Sequence, residues 1–362
     1  MKQFTRREFV GATALGALSL AIPRLAMGQE VLKIGVVYPS PETDIGWVHQ
    51  HALAVKALKA EFGDRIQISS VENVVIPQDA ERVFREYASS GHKLIFATSF
   101  SHGQPLQRVA RAFPDVAFEH CSGIVQQKNL SVFEARYHEG TFVAGAAAAM
   151  VSKSKKLGFV ASFPVPDNLM AANGFLLGAQ SIDPEITCTT IFLNSWFDPG
   201  QEKEAANSLI SQGADVLCQM TDTVTTTQVA GERGIYGVGY ASDMASFGNG
   251  RQLTAYTLDW AHRYIQATQD VLDGTWESAI RWEGLSEGTI VMAPYNESAL
   301  NAEQIAQLKQ LEQDIASGKV TPFDGEVRDQ QGKVRVAEGE RLADDDIKRI
   351  DWFVQGMSGR LS

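Results

Sequence analysis

Aromatic and acidic side chains recur in the segments that follow the predicted strands of this 362-residue chain. In open parallel sheets these segments carry ligand-binding groups, because the strands end there and helix N-termini point inward. Such a set suits a flat, uncharged heterocycle, since aromatic faces stack on its ring and carboxylates accept hydrogen bonds from its N–H groups. The predicted ligand-binding residues are Trp47, Phe100, Ser122, Trp196, Phe197, Asp222 and Asp243.

Each aromatic residue in this set also has a structural interpretation. Trp47 could open a helix as a packing residue, and Phe100 could equally fill the core. Trp196 and Phe197 are adjacent, so only one of them is expected to face the ligand, and we favour Trp196.

The acids have a structural alternative as well. Asp198 precedes Pro199 and is expected to cap a helix, because its side chain can accept hydrogen bonds from the free N–H groups of the first turn. Asp222 and Asp243 could act in the same way. In an enzyme these two acids could instead contribute to a metal site.

The chain contains none of the motifs that would indicate an enzyme. G-x-S-x-G, H-E-x-x-H and the phosphate-binding G-x-x-x-x-G-K-[ST] are absent. Cys121, Cys188 and Cys218 lie far apart, so no zinc cluster is predicted and at most one disulfide could form. We therefore predict a binding protein with no catalytic residue, metal or cofactor. An exported hydrolase of nucleosides or esters is the second hypothesis.

The N-terminus has the pattern of an export signal. Arg6 and Arg7 precede an apolar run from Val10 to Ile22, which is shorter than the roughly 20 residues needed to span a bilayer. The pair of arginines resembles the twin-arginine signal. Small residues at positions 26 and 28 suit cleavage before Gln29, and no cysteine stands there to receive a lipid. We predict a periplasmic, unlipidated protein that begins after residue 28.

The charge of the chain argues against nucleic acid as a partner. The sequence has 32 basic and 43 acidic residues, and the leader holds four of the bases but only one acid. Binding to phosphates requires a basic surface, whereas the mature chain is strongly acidic.

Short apolar runs alternate with amphipathic stretches along the mature chain, which predicts an α/β fold with parallel sheets. The alternation starts again after a small-residue helix at 141–151, and the basic stretch 153–156 is a candidate crossing between two lobes. Turn signals near residues 325 and 332 predict a late hairpin.

Several runs of residues, taken in order, resemble the basic membrane protein (BMP) family of substrate-binding proteins for ABC importers, which includes purine nucleoside receptors. These runs are Asp44-Ile45-Gly46-Trp47, Phe118-Glu119-His120-Cys121-Ser122-Gly123, Tyr137-His138-Glu139-Gly140, Asn194-Ser195-Trp196-Phe197-Asp198-Pro199 and Gly239-Tyr240-Ala241-Ser242-Asp243-Met244. The similarity extends from about residue 31 to Val354.

The resemblance implies a type I periplasmic-binding-protein fold, in which two Rossmann-like lobes joined by three crossings close on the ligand at a hinge. Purine-binding members hold the base between one aromatic ring from each lobe. These rings would be Trp47 and either Trp196 or Phe197.

Two departures from the family pattern favour a free purine base, such as adenine, over a nucleoside. Ala241 stands where the family often has an acid or amide, which leaves Asp243 as the carboxylate of that loop. No lysine follows the strand at 253–255, where nucleoside receptors tend to carry a basic residue.

We expect a signal peptide at 1–28, an N-terminal lobe at 29–150 plus about 253–280, a C-terminal lobe at 151–252 plus about 281–320, and a hairpin and tail at 321–362. The implied partners are a purine base or nucleoside and a membrane ABC permease, and the protein is predicted to be a monomer. A ligand-sensing partner of a membrane sensor would share this fold and is a third hypothesis.

Overall fold

A computed structural model describes residues 31–361, so the predicted leader at residues 1–28 lies outside the described residues. The strands of the described part are β1 (Leu32–Val37), β2 (Ile66–Val71), β3 (Leu94–Ala97), β4 (Ala117–Cys121), β5 (Leu130–Ala135), β6 (Lys156–Ala161), β7 (Thr187–Phe192), β8 (Val216–Met220), β9 (Tyr236–Ala241), β10 (Gln252–Leu258), β11 (Ile280–Glu283), β12 (Ile290–Met292), β13 (Val327–Arg328), β14 (Val334–Val336) and β15 (Met357–Ser358).

The helices connect and cover these strands. They are α1 (Trp47–Phe62), α2 (Pro77–Ser89), α3 (Gly103–Ala112), α4 (Tyr137–Val151), α5 (Pro166–Gln180), α6 (Pro199–Ser211), α7 (Thr225–Glu232), α8 (Ala261–Asp273), α9 (Ala302–Ala316) and α10 (Asp344–Ile347). None of the helices in the described residues is both long and apolar enough to cross a membrane.

The strands form two large sheets, and each defines one lobe. The first sheet has the order β11-β5-β4-β3-β1-β2, and the second has the order β12-β10-β9-β8-β6-β7-β15. Their pairs are parallel except for β10 with β12. The central strands are almost wholly buried, as parallel strands covered by helices must be. The predicted α/β fold with two parallel sheets is confirmed.

The strand order in both sheets reverses beside the first strand of each lobe. β1 lies between β2 and β3, and β6 lies between β7 and β8. Such a switch point opens a crevice at the carboxyl ends of the strands, because the connections on either side leave in opposite directions. The segments after β1 and β6 therefore begin at the place where a ligand would bind.

The chain passes between the lobes at places that differ from the prediction. After β5, α4 packs against α5 and β10 of the second lobe, so the first crossing lies at Arg136 and not at 153–156. β10 pairs with β9 in the second sheet, although we expected residues from about 253 in the first lobe. α8 then packs on α1, and β11 pairs with β5 before the chain returns to β12.

Helices α4 and α5 pack in very close contact, which glycines permit. A Cβ at Gly145 would lie 1.9 Å from the carbonyl oxygen of Phe175, and one at Gly178 would lie 1.9 Å from that of Phe142. Gly174 meets His138 and Gly178 meets Phe142, so these two contacts advance in the same direction along both helices, and the helices run parallel. The N-termini of α4 and α5 consequently point toward the same end of the lobe.

The C-terminal segment packs on the second lobe. β13 and β14 form an antiparallel hairpin, and β15 adds to β7 at the edge of the second sheet. The side chain of Asn173 on α5 bonds the backbone of Trp352 and Val354, at 2.9 and 3.0 Å. All three cysteines are buried and free.

Candidate functional site

A cavity lies between the lobes, at the carboxyl ends of both sheets. The cavity is lined by Pro39, Ser40, Trp47, Thr98, Ser99, Phe100, Ser122, Tyr137, Ser162, Asp167, Trp196, Met220, Thr221, Asp222 and Tyr240. The first seven residues belong to the first lobe, and the others belong to elements that pack in the second.

Aromatic rings from both lobes face this cavity. Trp47, the first residue of α1, is 8% exposed, and its indole N–H donates a 2.8 Å hydrogen bond to the carbonyl of Thr98. Tyr240 of the second lobe is nearly parallel to it, with ring centroids 6.5 Å apart and planes 13° apart. Trp196, also in the second lobe, rests against Phe163 at 4.8 Å. These rings give the cavity the flat apolar walls that an aromatic ligand requires.

A buried histidine supports the Trp47 ring from behind. His51 lies one turn along α1, meets Trp47 edge to face at 4.7 Å and stacks on Trp260 with planes 5° apart. Its Nδ1 is 2.9 Å from the hydroxyl of Tyr264. Burial lowers the pKa of His51 to about 3, so the ring is neutral at neutral pH.

Asp222 of the second lobe bonds the start of α1 in the first lobe. Its Oδ1 accepts a 2.6 Å hydrogen bond from the backbone N–H of Trp47, and its Oδ2 accepts one from the hydroxyl of Ser40. Ser242 accepts from the N–H of Gly46 at 2.9 Å and from the side chain of Gln50 at 2.7 Å. We call these contacts of Asp222 and Ser242 the interlobe clasp.

The clasp places a carboxyl group at a helix N-terminus, where the helix dipole stabilises negative charge. Burial is nevertheless the larger effect and raises the pKa of Asp222 to about 7, while the hydrogen bonds from Ser40 and Trp47 act in the opposite direction. Asp222 is therefore partly protonated near neutral pH when the lobes are together.

The sequence matches the family described as "Bmp: ABC transporter substrate-binding protein PnrA-like" over residues 31–322. The chain belongs to this family.

Relatives of this Bmp protein share most of its length. A purine-binding protein of Brucella abortus (strain 2308) is 41% identical over 336 residues, which is 93% of this chain and 95% of the relative. A Haloferax volcanii protein named for glucose binding by an ABC transporter is 33% identical and covers 82% of this chain, with 76% of its own length matched.

The solved structure of a solute-binding protein from Aeropyrum pernix K1 has a TM-score of 0.71 at 18% identity. The match covers 81% of this chain and 93% of the Aeropyrum chain. This similarity confirms the periplasmic-binding-protein fold.

The structure brings five of the seven predicted site residues together at the cavity of the Bmp protein. Trp47 and Phe100 line it from the first lobe, with Ser122 beside them. Trp196 and Asp222 line it from the second lobe. Both oxygens of Asp222 are already engaged by the interlobe clasp, so its contact with protein is more extensive than we expected.

Two predicted residues lie elsewhere. Phe197 does not line the cavity and contributes instead to a neighbouring groove. Asp243 is exposed and bonds its own loop, accepting from the N–H of Ala245 at 3.0 Å and from Gln252 at 2.7 Å. This corrects the prediction, because a carboxylate satisfied within its loop does not reach the cavity. Asp198 caps α6, as predicted, by accepting from the N–H of Gln201 at 2.9 Å.

Sequence reasoning missed three residues that line the cavity. Asp167 follows β6, so the search of strand ends could have found it. Tyr240 lies within β9 near its carboxyl end, where the same rule would place it at the cleft. Tyr137 begins α4 directly after the crossing at Arg136, and no sequence pattern marked that crossing.

Within the described residues there is no group of three or more histidine, cysteine, aspartate or glutamate side chains that could hold a metal ion. Asp222 and Asp243, which we considered as a carboxylate pair for metal, make separate sets of contacts.

We expect His51→Gln to lose less stability than the wild type on acidification. The folded pKa of His51 is about 3 and its ordinary value is 6.5, so wild-type stability carried by the neutral ring is lost as pH falls below 6.5. The difference in free energy of unfolding between wild type and variant should narrow by about 1.4 kcal/mol per pH unit below 6.5. Urea unfolding at several pH values measures this difference.

His262→Gln is the matched control, because a hydrogen bond to Glu283 raises the pKa of His262. The free energy of unfolding of His262→Gln should instead fall further below that of the wild type as the pH is lowered toward 6.5. If the difference in free energy of unfolding between wild type and His51→Gln does not change with pH, the assignment of a neutral, buried ring is contradicted.

Proposed function

We propose that this Bmp protein is the periplasmic receptor of an ABC importer and that it captures a purine base or nucleoside, with an adenine-like base favoured. The observation that carries the proposal is the placement of Trp47 and Trp196, from opposite lobes, on one cavity that also contains buried carboxyl groups. Aromatic faces and N–H acceptors together suit a neutral nitrogen heterocycle. The 41% identical purine-binding relative supports the same ligand class.

The polar groups of the cavity favour a base over a sugar. Three of its hydroxyl groups already donate to protein, since Ser40 bonds Asp222, Thr98 bonds the carbonyl of Val37 at 2.9 Å and Ser162 bonds that of Met220 at 2.6 Å. A sugar would need many free hydrogen-bonding partners, whereas a base needs a few at its edge. Glucose, the ligand in the name of the Haloferax relative, is therefore the competitor to test.

The lining also favours a neutral ligand that the protein releases without chemical change. Among the described residues that line the cavity there is no lysine, arginine, histidine or cysteine. A phosphate would have no cation, and a serine nucleophile would have no base beside it. We infer binding without catalysis and prefer it to the hydrolase hypothesis.

The remaining elements of the proposal follow from the sequence. The leader at 1–28 directs export, with the twin-arginine route favoured, and the mature protein acts as a monomer that delivers its ligand to a membrane permease.

Mass spectrometry of small molecules released from the denatured, purified protein tests the ligand class. We expect a purine, with adenine the first candidate. Recovery of glucose, or conversion of added purine nucleosides to products by the intact protein, would overturn the proposal.

Removing either stacking ring should weaken adenine binding. For Trp47→Ala and Trp196→Ala we expect losses of about tenfold or more, because stacking of a base on an aromatic side chain is worth about 1–3 kcal/mol. Phe197→Ala is the control, since this ring neighbours Trp196 but does not line the cavity. Calorimetric titration with adenine measures all three, and equal affinities across the set would contradict the stacked arrangement.

Blocking the interlobe clasp should weaken binding without removing any side chain that lines the cavity. Gly46 has φ +96°, and a Cβ there would lie 2.3 Å from Oδ1 of Asp222. Gly91 has a similar φ of +90° but open space around it. We expect Gly46→Ala to lose about tenfold or more in adenine affinity, because lobe closure loses hydrogen bonds worth about 1–3 kcal/mol.

Gly91→Ala also places an alanine at a positive φ and should bind adenine as the wild type does. Titration of both variants with adenine separates the effect of backbone strain from the effect of lobe closure. Thermal unfolding confirms that each variant is folded. Equal loss in both variants would show that the clasp does not contribute.

A further inference from the structure

One end of the cavity is polar and is formed by two helix N-termini. Asp167 lies in the first turn of α5 and is 5% exposed, and Tyr137 is the first residue of α4 and is fully buried. Both side chains line the cavity. Because α4 and α5 run parallel, their N-termini present these two groups from the same lobe.

The hydroxyl of Tyr137 has no hydrogen-bond partner among the described residues. Leaving a buried hydroxyl unpaired is costly, and native proteins rarely do so outside functional sites. Since the ring lines the cavity, a ligand there could supply the missing partner.

Glu134 meets Asp167 from the opposite lobe. It lies on β5, is 5% exposed and shares a hydrogen bond with the carboxyl group of Asp167. Behind this contact, Glu134 lines a second cavity together with Arg281, Lys348 and Arg349.

Two carboxyl groups in contact cannot both carry a charge at low cost, so one retains a proton. Burial raises the pKa of both, and the neighbouring Asp167 raises that of Glu134 further, while Lys348 acts in the opposite direction. Hydrogen bonds from Glu134 and Ser122 favour the ionised form of Asp167. Glu134 and Asp167 therefore share one proton across the lobe interface.

We propose that Asp167 and Tyr137 form the hydrogen-bonding end of the ligand cavity, and that Glu134 acts across the lobe interface as a positioning residue for Asp167. This inference rests on the proposed function and extends it to the edge of the ligand. Asp167 accepts a hydrogen bond from an N–H group of the ligand, and the hydroxyl of Tyr137 donates to an adjacent ring nitrogen.

The chemistry of these two groups selects a ligand edge with a donor beside an acceptor. A 6-aminopurine has this edge, because its amino group can donate to Asp167 while a neighbouring ring nitrogen accepts from Tyr137. N6,N6-dimethyladenine keeps the ring but has no N–H at that amino group, so it should bind less tightly than adenine.

The contact between Glu134 and Asp167 also links ligand capture to pH. The two acids come from different lobes and can share a proton only when the lobes are together. The closed state then binds more protons than the open state, so affinity should fall as pH rises, by up to about tenfold per pH unit. The other titratable groups facing this pair are Cys121, Tyr137, Tyr240 and Lys348.

Titration of adenine and N6,N6-dimethyladenine into variants of the full mature protein tests the proposal. We expect Asp167→Ala to lose about tenfold or more in adenine affinity and to lose the preference for adenine over the dimethylated base. Tyr137→Phe should lose about threefold to tenfold, since only one hydroxyl is removed. A structural role alone would lower thermal stability but would leave the preference between the two bases unchanged.

Glu134→Gln separates positioning from charge. Its amide N–H can still donate to Asp167, so affinity at neutral pH should stay within about threefold of wild type, while the pH dependence becomes shallower. Asp222→Asn identifies the part of the profile that belongs to the interlobe clasp. Glu312→Gln is the control, because Glu312 lies on α9, accepts a hydrogen bond from the hydroxyl of Tyr295, and should leave the profile unchanged.

The outcomes distinguish this inference from the proposed function. Wild-type protein that fails to bind adenine contradicts the proposed function and this extension together. Wild-type protein that binds adenine, with Asp167→Ala and Tyr137→Phe within about twofold of it, overturns this inference alone. If the adenine affinity of Glu134→Gln depends on pH as that of the wild type does, the positioning role of Glu134 is contradicted.

Discussion

The structure depends on acidic side chains of the second lobe that are buried against the first. Asp222 bonds the N-terminus of α1, and Asp167 bonds Glu134 on β5. A buried carboxyl group is costly unless it finds partners, and in both cases the partners belong to the opposite lobe. Closing the cavity and satisfying these acids are therefore one event. The same contacts hold Trp47 of the first lobe opposite the rings of the second.

Much of this site could be predicted from the sequence, because parallel strands end at a common edge. That rule led to Trp47, Ser122, Trp196 and Asp222 without knowledge of the strand order. It misplaced Asp243. The loop of Asp243 also follows a strand, but its carboxylate accepts hydrogen bonds from the loop itself and from Gln252. A position after a strand indicates the correct edge, but local bonds decide whether the side chain is available.

The contacts between lobes could not be predicted in this way. The apolar run of β10 would fit either sheet, and only its pairing with β9 assigns it to the second. The crossing at Arg136 gives α4 to the second lobe and so brings Tyr137 to the cavity, although the chain there has no linker composition. Pairs such as Glu134 with Asp167 join distant parts of the chain, and their proton sharing follows from burial that no local pattern encodes.

A crystal structure of the mature protein with adenine tests the central claim most directly. The account predicts closed lobes, with planar electron density for adenine between the ring of Trp47 and an aromatic ring of the second lobe. The amino group of adenine should lie within hydrogen-bond distance of Asp167. Adenine bound outside this cavity, or a closed cleft that instead holds glucose with adenine excluded, would contradict it.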